Sequence, residues 1–119
     1  MNTLVFQAEA AGEELRYCPK LRAGGMEYAL SKAGRYVRLV SDRPSAGGNG
    51  SWYDSKTKIP FDAINNVLST MGTVQTRDFA HLFEVNTSNN GPMLVAALLH
   101  EGLLTKGRNG SFHVGIRRL

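Results

Sequence analysis

From Pro60 onward the chain holds a helical period and breaks it at glycines, and this punctuation leaves few folds open. Pro60 suits the first turn of a helix, where its missing N–H costs nothing. Phe61, Ile64, Val67, Leu68 and Met71 then recur at helical spacing, with Asp62, Asn65, Asn66 and Ser69 opposite, until Gly72 offers a stop. Residues 73–75 have room only for an extended connector or a minimal strand. Thr76 carries a capping hydroxyl and Asp78 complements the positive end of a helix dipole. Phe79, Ala80, Leu82 and Phe83 supply that second helix with its apolar face. After a turn through Glu84, Val85 and Asn86 and a polar run to Pro92, a third helix is lined by Leu94, Ala97 and Leu98 and stopped at Gly102. The spacing predicts helices near 60–72, 76–83 and 90–101. A hairpin follows, because the central positions of the tight turn that Asn109-Gly110 favours need positive φ. Phe112, Val114 and Ile116 alternate as a half-buried strand should.

The first half carries weaker periodicity. Residues 43–51 hold four glycines and almost nothing to bury, which predicts a loop. Before it, residues 36–40 (Tyr, Val, Arg, Leu, Val) predict a strand with Arg38 facing out. Thr3 to Phe6 could form another strand, and Trp52-Tyr53 a hairpin partner. Met26 to Lys32, between Gly25 and Gly34, predict one short helix. The expected fold class is therefore α+β. Residues 1–58 form an α/β extension with a hairpin, and residues 59–119 a unit of three helices and a C-terminal hairpin.

A chain of 119 residues is one domain's worth, with 42% hydrophobic and 20% charged residues, as expected of a folded soluble protein. Its formal charge of +4 suits a nucleic-acid partner without requiring one. Cys18 is the single cysteine, so no intramolecular disulfide can form and a reducing compartment is the default. The first residues lack the basic start of a signal peptide, and the longest apolar run, residues 93–99, is far short of a membrane span. A cytoplasmic protein without membrane contact is expected.

The order helix, short strand, helix, turn, helix, hairpin, with the phrase Leu98-Leu99-His100-Glu101-Gly102-Leu103-Leu104 leading into a basic glycine-rich turn, resembles the winged helix-turn-helix superfamily of bacterial and phage regulators. The resemblance covers residues 59–119. It implies that residues 76–83 are the positioning helix and that Val85 is the buried apolar residue of the turn. The next helix would enter the major groove, and the wing, residues 106–111, would touch backbone or minor groove. On this basis Arg77, Asn86, Thr87, Ser88, Asn89, Asn90, Lys106, Arg108, Asn109, Arg117 and Arg118 are the expected DNA contacts, with Lys56 and Lys58 as accessories. One departure stands out. Such recognition helices usually carry Arg or Lys early, and none lies between Asn86 and Leu99.

Each signal has a plainer reading. Lys106, Arg108, Arg117 and Arg118 lie in an acid-free stretch, residues 105–119, yet hairpin tips and chain ends are commonly charged simply because water covers them. Asn86 to Asn90 can read bases or serve as a capping and turn segment. Trp52 and Tyr53 could stack on a base or belong to the core. His81, His100 and His113 have no ligand-spaced partners, so neither metal nor cofactor is expected. Cys18 has no activating histidine near it in sequence, and residues 46–50 lack the lysine of a phosphate loop, so no enzyme is expected. The function expected is that of a small dimeric transcriptional regulator on double-stranded DNA. The alternative is a winged-helix module that binds another protein, such as a phage-encoded inhibitor.

Overall fold

The computed structural model describes residues 12–22, 24–41, 57–83 and 90–119. The expected strand at Thr3 to Phe6, the loop 43–51, the Trp52-Tyr53 strand and the turn 84–89 lie outside the described residues. Elsewhere the C-terminal half follows its periodicity except at Met71 and Ile116, which lie beyond the ends of their elements and are exposed, and in its second helix, which is 3₁₀. Helix α1 (Phe61–Thr70) begins directly after Pro60, which caps it in extended conformation, and buries Phe61, Ile64, Val67 and Leu68. The strand β5 (Thr73–Val74) leads to a 3₁₀ helix (Thr76–Leu82). Its cap falls one residue before the expected Thr76: the Gln75 N–H donates to the Asp78 carboxylate at 2.7 Å, and the Asp78 N–H returns to the Gln75 carbonyl. Helix α2 (Asn90–His100) ends as its sequence predicts. Gly102 takes φ +84°, with Leu103 N–H bonded to the Leu98 carbonyl and Gly102 N–H to that of Leu99, which is the Schellman closure.

Strands β6 (Leu104–Lys106) and β7 (Phe112–Val114) form the hairpin, and β5 joins β7 on its other side, giving the order β5-β7-β6. The turn has the geometry that Asn109-Gly110 favours. Asn109 and Gly110 take φ of 54° and 76°, and Ser111 N–H donates to the Arg108 carbonyl at 3.0 Å.

The N-terminal half corrects two expectations. Residues 26–32 are not a helix: all but Lys32, which opens the following turn, lie in β2 (Gly25–Ser31), the second strand of an antiparallel sheet ordered β1-β2-β3-β4 with β1 (Glu13–Pro19), β3 (Tyr36–Ser41) and β4 (Ile59–Pro60). Met, Glu, Ala and Leu favour helix in isolation, but pairing on both sides overrides so short a local preference. The second correction concerns Arg38. It does point away from Val37 and Leu39, yet that face of the sheet is also closed to water, and Arg38 is only 2% exposed. Its guanidinium grips the buried Glu13 carboxylate through Nε and Nη2, both at 3.1 Å, while the Tyr36 hydroxyl donates to the same carboxylate at 2.6 Å. A charge this deep is tolerable only with such a partner.

The two halves share one core. Cys18, Met26, Tyr28, Leu30, Val37 and Leu39 from the sheet join Ile64, Phe79, Leu94, Leu98, Leu103 and Phe112 in a single buried cluster. The β2–β3 turn is fastened to the start of α1: the Arg35 carbonyl accepts the Phe61 N–H, and its guanidinium pairs with Asp62 and lies over the Phe61 ring. Strand β4 carries the junction, since Ile59 pairs with Val37 immediately before α1 begins.

Candidate nucleic-acid interface

The expected contacts are scattered over the fold. Lys106, Arg108 and Asn109 are exposed on the hairpin, where Gly107 N–H donates to the Ser111 carbonyl and closes the loop neck at 2.9 Å. The positive φ of Asn109 makes it first a turn residue. Arg77 is exposed on the 3₁₀ helix. Lys58 is exposed as well, with its ammonium 5.2 Å from the centre of the Tyr36 ring.

Arg117 and Arg118 are exposed, and Arg118 is anchored. Arg118 donates to the carbonyls of Gly115 at 2.8 Å, Arg117 at 2.9 Å and Leu68 at 3.4 Å, and its Nε reaches Ser69 Oγ at 3.2 Å. That places its charge over the C-terminal end of α1, where a cation complements the dipole. Arg117 lies near the end of α2, since a Cβ on Gly102 would lie 2.9 Å from its Nη1. The tail is held further by Asn65, whose amide exchanges hydrogen bonds with the backbone of Leu119.

The remaining expected contacts are Asn86, Thr87, Ser88, Asn89 and Lys56, which lie outside the described residues, and Asn90. Asn90 is a correction. At 2% exposure its amide is enclosed, so it cannot meet a base edge. The same holds for most of α2. Gly91, Met93, Leu94, Val95, Ala96, Ala97 and Leu98 are all buried, and only Pro92, Leu99 and His100 reach water. The helix lies between the 3₁₀ helix on one side and the N-terminal sheet on another. Gly91 is part of that fit, because a Cβ there would come 2.7 Å from the Thr76 carbonyl oxygen. Within α2 the side chains of residues 93–98 are all enclosed and cannot enter a groove.

Two features escaped the sequence. The first is an ionisable cluster where the sheet meets the end of α2. Arg16 Nη1 holds both oxygens of Glu101, at 2.9 and 2.7 Å, and the Tyr28 hydroxyl donates to the same carboxylate. Because Tyr28 has one proton and gives it to Glu101, its oxygen accepts from His100 Nδ1 at 2.8 Å, which assigns the ring proton to Nδ1. Burial, and then the Glu101 charge, push the Tyr28 hydroxyl well above its ordinary range and the Cys18 thiol up to about 11. This cluster fastens the halves together. The second feature is a row of exposed polar residues on the outer face of the three-stranded sheet, Thr73, His113 and Thr105, in direct register. The outward position of His113 between Phe112 and Val114 was legible, but its neighbours across the sheet were not.

Among the described residues no group of three or more His, Cys, Asp or Glu could hold a metal ion, and no helix is long and apolar enough to cross a membrane. Compared with known proteins, the chain matches no family model, no curated protein and no solved structure.

Proposed function

We propose that this protein is a winged-helix module that binds duplex DNA through its hairpin, holding the phosphate backbone rather than reading bases with its third helix. One observation carries the reading: Lys106 and Arg108 stand exposed on a tightly closed turn, within residues 102–119, which contain no carboxylate side chain. The winged-helix assignment is supported by the order of elements from α1 to β7 and by the strand order β5-β7-β6. A hairpin of this charge attracts phosphates without regard to sequence. Two copies would double the contacts, in keeping with a dimeric regulator.

The salt dependence tests it. Anisotropy titrations of short labelled duplexes should give a slope of log affinity against log salt of roughly −2 per subunit, from two phosphates at about −0.9 each. Arg118, held over a helix end, adds little. Replacing Lys106 and Arg108 together with alanine should abolish most of this slope. Absence of saturable duplex binding even at low salt overturns the proposal. The enclosure of α2 favours a second reading, in which the hairpin engages an acidic protein surface. Flat duplex titrations would accompany it.

A further inference from the structure

We infer that the outer face of the β5-β7-β6 sheet is itself a nucleic-acid surface, on which a duplex lies by its sugar-phosphate backbone. The inference rests on the hairpin reading above and extends it from the turn to the sheet. Direct register places Thr73 opposite His113 and His113 opposite Thr105, so the three side chains share one face. All three are exposed. Neighbouring strands lie about 4.8 Å apart, so the row spans roughly 10 Å. It offers a hydroxyl, an imidazole and a hydroxyl, each able to donate to a phosphate oxygen. The row is continuous with the turn: His113 leans over Gly107, where a Cβ would lie 3.0 Å from His113 Nε2, and Gly107 stands between Lys106 and Arg108.

Charge selects the occupant. Among the described residues, the carboxylates flanking this face in the sequence are engaged elsewhere: Asp62 with Arg35, Asp78 with the Gln75 N–H, and Glu101 with Arg16 and Tyr28. The face offers hydrogen-bond donors, its hairpin has no carboxylate side chain, and the adjoining turn adds the exposed cation of Arg108. Lys106, in register with Phe112, leaves β6 on the other side. Such a surface is complementary to phosphodiester oxygens. Short hydroxyls and one imidazole on a flat sheet do not reach into a groove. Contact is therefore to backbone, and indifferent to sequence.

The test compares wild type with two variants on two duplexes of unrelated sequence. One variant carries Thr73→Val, Thr105→Val and His113→Val, which keep strand-forming side chains at exposed positions and should leave thermal unfolding unchanged. The other carries Lys106→Ala and Arg108→Ala. The sheet variant should lose about tenfold in affinity, equally on both duplexes. Should the turn variant weaken binding while the sheet variant matches wild type, the sheet face is idle and this inference falls, with the hairpin reading intact. A loss confined to one duplex also overturns it, since it means that bases are read. If wild type binds neither duplex, the hairpin reading fails and takes this inference with it.

Discussion

At the scale of single residues, the structure turns on how it treats charge away from water. Arg38 and Glu13 are both enclosed and satisfy each other through two hydrogen bonds, with Tyr36 adding a third. Nothing in the sequence distinguishes Arg38 from a surface arginine on an alternating strand, because alternation reports which face a side chain takes and not whether that face meets water. Glu27 is the opposite case. Its Oε1 is buried and has no hydrogen-bond donor among the described residues, and burial raises its carboxyl above the usual range. A raised carboxyl favours the protonated form in the folded state. Its contribution is fully present below the ordinary value near 4.3 and is lost as pH rises through the raised one. Glu27→Gln should therefore stabilise the protein at pH about 7, by on the order of 1 kcal/mol. The gain should vanish at pH about 4, where wild type carries the proton itself. Urea midpoints at the two pH values decide it, and an equal shift at both would show that charge is not the cause.

The elements of the C-terminal half were legible because each boundary is written by local chemistry: Pro60 before α1, Gly102 after α2, Asn109-Gly110 in the hairpin. Those of the N-terminal half were legible only at β3, where residues 36–40 read as the strand they form. Strand β1 (Glu13–Pro19) carries Glu13, Glu14 and Arg16, as an edge strand can, and shows no clean alternation. Residues 26–30 look helical until β1 and β3 are present to pair with them. The candidate site was legible only in part. The charges of Lys106 and Arg108 could be read directly, whereas the anchoring of Arg118 depends on where a distant helix ends. This division gives an element-scale prediction. Arg118→Ala should cost about 1 kcal/mol of stability by uncovering the end of α1, and should leave the salt slope of duplex binding unaltered. The Lys106 and Arg108 pair should behave inversely. Thermal melts and salt titrations of both variants separate the roles, and a steep loss of slope in Arg118→Ala would return that residue to the interface.

Across the whole molecule, the boundary expected near residue 58 is not one at which the core divides. The inner face of the sheet closes over α2, Ile59 pairs with Val37, and Glu101 is held by Arg16 and Tyr28 from the other half. Removing the sheet would uncover part of an apolar helix whose residues 93–98 are all buried in the intact fold. At about 25 cal/mol per Å² of apolar surface the penalty falls on a fragment with little else to bury. A fragment of residues 57–119 should therefore unfold without cooperativity and bind a hydrophobic dye. A sharp thermal transition in that fragment would show that the sheet is an accessory rather than half of the fold.

The closed hairpin turn has a consequence for how such a protein could change over generations. Residues 107–111 sit outside the buried cluster, and their geometry is fixed mainly by their own backbone hydrogen bonds and two positive-φ positions. The side chain at 108 can vary without disturbing a core contact, whereas almost every position of α2 is constrained by neighbours. Preference for a partner can therefore drift at the tip while the rest of the sequence stays under the demands of folding, so divergence in binding and divergence in architecture need not keep pace.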